Sequence, residues 1–158
     1  MRDVSVRRAI APDAASVCTV LRRSITELCS ADHRDDPAIL ERWLANKTPE
    51  TVASWIADPG RRVVVATSTT DAILGVGMAT TSGVVELNYV SPDARFRGVS
   101  RAVLLALENW FREIGQRHCR LISTGTARRF YLNLGYRPEG PAGSTLGATS
   151  SQPMTKEL

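Results

Sequence analysis

The sequence predicts an α/β domain of the α+β kind, with helices packed on a mixed sheet. Three observations lead there. Apolar residues recur at helical spacing through the first third of the chain, switch to strand-like runs between residues 63 and 90, and then alternate helix with strand to the end. Turn residues punctuate each switch. At 158 residues, 43% hydrophobic and 23% charged, the chain is long and apolar enough to bury one core, which fits a single domain over residues 1–158.

The elements follow in order. Val4, Val6 and residues 9–10 suggest a short first strand. Pro12 suits a first helical turn, with Asp13 favourably placed near the positive end of the helix dipole. Ala14, Val17, Leu21, Ile25 and Leu28 then keep helical spacing, and the polar residues 30–36 break it. Asp36-Pro37 and Thr48-Pro49 each read as an N-cap followed by a first-turn proline, opening helices that carry Leu40, Trp43 and Leu44, then Val52, Trp55 and Ile56. Residues 63–66, 73–79 and 84–90 read as strands separated by turns at 68–71 and at Ser82-Gly83. Val103, Leu107, Trp110 and Ile114 mark a long amphipathic helix closed by Gly115. Residues 118–123 form a strand, and Ala127, Phe130 and Leu134 a helix closed by Gly135. Residues 136–139 and 153–158 read as two last strands around a glycine-rich loop at 140–147.

Composition narrows the function classes. Net charge is +4, and only Lys47 and Lys156 are lysines, so the basic charge is almost all arginine, which suits forked contacts to phosphate. Acidic residues are interspersed, aromatics are only 6%, and no nucleic-acid motif occurs, so no nucleic-acid partner is expected. Three cysteines without metal-like spacing, and two histidines, argue against a disulfide framework and a metal site. No apolar run approaches bilayer length and no signal segment opens the chain, so the expectation is a cytoplasmic protein off the membrane, monomer or homodimer. Cys29 reads as a buried small hydrophobe, and His33 and His118 as surface or packing residues.

The informative stretch runs from residue 84 to 135. A strand passes through Val90-Ser91-Pro92-Asp93-Ala94 into Arg95-Phe96-Arg97-Gly98-Val99-Ser100-Arg101 and a helix. Such a loop offers free backbone N–H groups at a helix N-terminus, where anions are favoured. Gly98 removes a side chain that would hold a phosphate away, and three arginines surround it. A phosphate-bearing ligand follows.

These residues resemble a known family. Arg95-x-x-Gly98-x-Ser100 is similar to the acetyl-CoA loop of the GNAT (Gcn5-related) N-acetyltransferases. Ala127-Arg128-Arg129-Phe130-Tyr131-Leu132-Asn133-Leu134-Gly135-Tyr136 resembles the family's Ala-x-x-Phe-Tyr-x-x-x-Gly-Phe/Tyr helix, and Ile73-Leu74-Gly75-Val76-Gly77 its third-strand pattern. Two departures stand out: Ser100 where glycine or alanine is usual, and Thr124 where many members carry asparagine. Thr124 or Thr126 can still cap the helix.

The resemblance implies the GNAT fold: a mostly antiparallel mixed sheet of about six or seven strands, flanked by helices and splayed at its central strands. It implies an enzyme that moves an acetyl group from acetyl-CoA, its co-substrate, to a primary amine by direct transfer, with no metal. A rival reading is a GNAT module that binds acyl-CoA without turnover. The cofactor-binding positions implied are Tyr89, Val90, Arg95, Phe96, Arg97, Gly98, Val99, Ser100, Arg101 and Asn133, with backbone N–H groups near Tyr89 and Val90 facing the thioester carbonyl. Tyr131 matches the position of the general acid that protonates the leaving thiolate. Glu86, the only carboxylate on its strand, is the candidate base, and simple alternation places it on one face with Asn88. Arg128 and Arg129 lie near the expected phosphates. Glu27, Asp32, Asp35 and Asp36 cluster on the expected acceptor side, where they would attract a cationic amine.

Overall fold

The computed structural model describes residues 4–141, 143 and 151–158. Seven strands form one sheet: β1 (Ser5–Arg8), β2 (Arg61–Thr67), β3 (Ile73–Thr80), β4 (Val84–Val90), β5 (His118–Thr124), β6 (Arg137–Pro138) and β7 (Ser151–Glu157). Their order across the sheet is β1-β2-β3-β4-β5-β7-β6, antiparallel except where β4 meets β5. That parallel contact joins only Val84 to Arg120 and Val85 to Leu121, after which the two strands part.

Helices cover both faces. On one side α5 (Val99–Glu113) lays Val99, Val103, Leu104, Leu107 and Phe111 over β2, β3 and β4. On the other, α1 (Ala14–Leu28) and α4 (Pro49–Ala57) pack Val17, Leu21 and Val52 against Val63, Val65, Val76 and Met78. Gly75 and Gly77 explain how closely α5 approaches. A β-carbon on Gly75 would stand 2.5 Å from Val99 Cγ1, and one on Gly77 would run into Val103. Both glycines belong to the third-strand pattern, so that pattern records a helix resting on bare backbone.

The cap signals hold. Asp36 accepts the N–H groups of Ala38 and Ile39 at the start of α3 (Pro37–Leu44), Thr48 accepts that of Thr51, and Thr124 accepts that of Ala127. Asp13 sits in a short turn before α1, held by a two-pronged ion pair with Arg7 and by the Ile10 N–H.

Two expectations change. The polar break at 30–36 contains a helical turn, α2 (Ser30–His33), in which Asp32 and His33 are buried. His33 sits in the core because its ring finds partners there: Nε2 bonds the carbonyls of Ile25 and Thr26, and Nδ1 accepts the Asp35 N–H. Strand β4 also departs from plain alternation. Ala79 pairs with Val85 and Met78 with Leu87, so Glu86 is the extra residue of a bulge. Val85 packs toward α5 and Leu87 toward α1. Glu86 bonds Arg61, whose neighbour Arg62 lies over Trp110 on the α5 face, so Glu86 shares the α1 face with Leu87 and Tyr89 rather than the face of Asn88. Of the glycine-rich loop, residues 142 and 144–147 lie outside the described residues.

Candidate active site

The parting of β4 from β5 leaves a strand edge without a partner. Ser91 donates its N–H to Leu74 on β3. In an alternating antiparallel ladder the Val90 N–H then points the opposite way, into the gap. A cleft of about 610 Å³ opens there, lined by β4, by the loop before α5 and by α6 (Arg128–Asn133). A smaller slit of about 50 Å³ continues between the strands past Glu86 and Tyr131.

One end of the cleft is the N-terminus of α5. Gly98 is its N-cap, in a left-handed conformation at φ 76°, with no capping side chain. The first-turn N–H groups of Val99, Ser100 and Arg101 have no carbonyl within the helix to bond. Arg95 and Arg101 are exposed beside them and Arg97 half-buried. An uncapped helix start, a glycine and three guanidinium groups form a positive cradle fit for phosphate.

Tyr131 stands at the other end, 6% exposed and lining both cleft and slit. Phe130 and Tyr136 meet its ring edge-on at 5.1 and 5.6 Å between centroids. Burial pushes its phenol up to about 12, partly opposed by the Asn88 amide. The group therefore keeps its proton across the physiological range. Across the cleft, Tyr89 accepts a 3.3 Å bond from Trp43 Nε1. Burial raises its phenol as well, and raises the Cys29 thiol to about 12, so Cys29 is no nucleophile at neutral pH.

Most of the expected positions come together. Tyr89, Val90, Arg95, Phe96, Gly98, Val99, Ser100, Arg101 and Tyr131 line the cleft. Glu86 lines the slit, its Oε1 accepting from Arg61 Nε at 3.0 Å, with Arg61 also held by Asp58 at 2.6 Å. Arg97 and Asn133 are not lining residues; Asn133 ends α6 and is exposed. The four acidic residues form no free patch. Glu27 is paired with Arg23, Asp36 caps α3, and buried Asp32 accepts both the N–H and the hydroxyl of Thr126; Glu27, Asp35 and Asp36 are exposed.

Sequence reasoning missed Asn88. Its Nδ2 donates to the Ser100 carbonyl at 3.4 Å, and its Oδ1 is buried without a partner beside Tyr131. The bulge is the reason: it turns Asn88 to the α5 face while Glu86 stays on the α1 face, and no motif announces a bulge. Among the described residues no group of three or more His, Cys, Asp and Glu is placed to hold a metal, and no helix is long and apolar enough to cross a membrane.

A mixed sheet parted beside an uncapped helix start, with a buried phenol between, is the architecture of an acetyltransferase-type domain. The chain belongs to the acetyltransferase (GNAT) domain family, whose profile matches residues 29–158. No curated protein matches it in sequence. Among solved structures it is similar to a GCN5-related N-acetyltransferase from Rhodopseudomonas palustris, at 23% identity over 99% of this chain and 96% of that one, with a TM-score of 0.86. It is also similar to the PaiA N-acetyltransferase of Thermoplasma acidophilum in complex with coenzyme A, at 17% identity over 98% and 99%, TM-score 0.81. A phosphinothricin acetyltransferase from Sinorhizobium meliloti, in complex with acetyl-CoA, matches at 22% identity over 99% and 89%, TM-score 0.73. These likenesses establish the fold.

Proposed function

We propose that the protein transfers an acetyl group from acetyl-CoA directly to a primary amine of a small molecule or a protein, with both bound together. The observation that carries the reading is one cleft bounded by the unsatisfied N–H groups of α5, the free edge of β4 and the Tyr131 phenol. Acetyl-CoA supplies an activated acetyl thioester. The N–H groups of Val99, Ser100 and Arg101, with the surrounding guanidinium groups, bind its phosphates. The Val90 N–H faces the thioester carbonyl and favours the negative charge that develops on its oxygen.

Two proton movements fall to side chains. An alkylammonium of pKa about 10.4 is roughly one part in a thousand neutral at pH 7, so the amine needs a base. Glu86 takes that proton. Arg61 fixes its Oε1, and its Oε2 has no partner among the described residues. Tyr131 donates to the departing sulfur.

Coenzyme release measured with a panel of primary amines, beside calorimetry of coenzyme A binding, tests the reading. Acceptor-dependent release that Tyr131→Phe slows by about 10²–10⁴ without weakening coenzyme binding is expected. Tight binding with no release from any amine would leave a binding module instead.

A further inference from the structure

Phe96 is the most exposed large apolar side chain among the described residues, at 92%; Ile122 follows at 62%. Its backbone sits at φ 61°, the left-handed region that glycine fills at no steric cost. The loop thus holds an aromatic ring in water on a backbone better suited to glycine, and neither feature helps the chain fold. The ring is not idle space. The Arg95 guanidinium carbon lies 4.6 Å from its centroid, and both residues line the cleft that reaches Gly98 and the first turn of α5. Charged Arg95 and Arg97 flank Phe96 in the chain, so no apolar patch for a protein or lipid surface continues along the loop.

We infer that the Phe96 ring, backed by the Arg95 guanidinium, is the stacking platform for the adenine of the coenzyme. The inference rests on the reading of the α5 N-terminus as the phosphate site. Coenzyme A joins its base, through one ribose, to a diphosphate. Phosphates held at the N–H groups after Gly98 therefore leave the base about one sugar away, and Phe96 precedes Gly98 by two residues, at most roughly 7 Å of chain. A flat ring steadied by a cation offers the π-face that a base stacks upon whatever its sequence identity.

Calorimetry on the full chain with three ligands tests this: coenzyme A, adenosine 3′,5′-bisphosphate, which has the base and no arm, and 4′-phosphopantetheine, which has the arm and no base. Phe96→Gly removes the ring while suiting the backbone; Phe96→Trp keeps a ring. The Gly variant should bind coenzyme A and the bisphosphate roughly 5- to 100-fold more weakly, the range that loss of one base–aromatic stack produces. Its affinity for 4′-phosphopantetheine should not change, and the Trp variant should hold the nucleotide ligands as tightly as the wild type. Unchanged coenzyme binding by Phe96→Gly, or equal weakening of all three ligands, overturns the stacking role. If that happens while Gly98→Glu still abolishes coenzyme binding, the phosphate-site reading stands without it. A wild-type chain that binds neither coenzyme A nor the bisphosphate overturns both.

Discussion

Lys47 carries an ammonium group into the interior, and removing it should change how stability depends on pH. The residue is 7% exposed. Its Nζ donates only to neutral oxygens, the Trp43 carbonyl at 3.2 Å and Asn46 Oδ1 at 2.7 Å. Burial lowers its pKa from 10.5 to about 8. Below pH 8 the folded and unfolded chains both hold the proton, so the cost of burying the charge is fully present. The shift corresponds to about 3 kcal/mol at 1.36 kcal/mol per unit. Between pH 8 and 10.5 the unfolded chain binds more protons than the folded one, so this group makes stability rise with pH across that window. Lys47→Met removes the charge and keeps most of the volume, but deprives two acceptors of a donor at about 1 kcal/mol each. The variant should therefore be more stable by about 1 kcal/mol at pH 7 and less stable by about 2 kcal/mol near pH 10.5. Urea unfolding of both proteins at matched pH values measures the difference, in which the thiols and phenols common to both cancel. A difference that stays constant with pH would refute the desolvated ammonium.

Further outcomes are expected at four residues. Tyr131→Phe should lower kcat by about 10²–10⁴ with little change in melting temperature. Because the wild-type phenol is raised to about 12, alkaline loss of activity below pH 10 should not arise from Tyr131. Glu86→Gln should lower kcat and move the acidic limb of the pH–rate profile while leaving coenzyme affinity unchanged; an unmoved limb would remove Glu86 as the base. Gly77→Ala should destabilise by about 1–3 kcal/mol in thermal unfolding, since its β-carbon meets Leu107 Cδ1 at 3.0 Å and Val64 Cγ2 at 3.3 Å besides Val103. Glu108 is 1% exposed, accepts from Tyr136 Oη at 2.7 Å and pairs with Lys156 at 3.1 Å, so Glu108→Ala should cost about 3–5 kcal/mol in denaturant unfolding.

The fold was legible wherever the chain repeats a period or carries a cap. The spacing of Val103, Leu107 and Trp110 describes the buried face of α5, and Asp36-Pro37 and Thr48-Pro49 open helices as their chemistry requires. The turn from β4 into α5 was legible because a glycine among arginines stands just before an amphipathic helix. Interactions between distant segments were not legible. Polar residues 30–36 give no hint that Asp32 will be bound by Thr126, 94 positions later, or that His33 will be fully buried. The bulge at Glu86 is set by pairing with β3, and no local residue choice marks it. That single extra residue puts Glu86 and Asn88, which plain alternation would leave on one face, on opposite faces.

The two shared residue pairs between β4 and β5 have a consequence for chain architecture. The sheet consists of a four-stranded block with its own ladders, β1 to β4, and a three-stranded block, β5 to β7, and the chain crosses between them only through α5 and the turn at Gly115. A β-carbon at Gly115 would meet nothing within 4 Å. The turn is thus a natural place to divide the protein into two complementary pieces, each retaining its strand pairings. Reassembly of such halves would depend on side-chain packing between the blocks far more than on backbone hydrogen bonds.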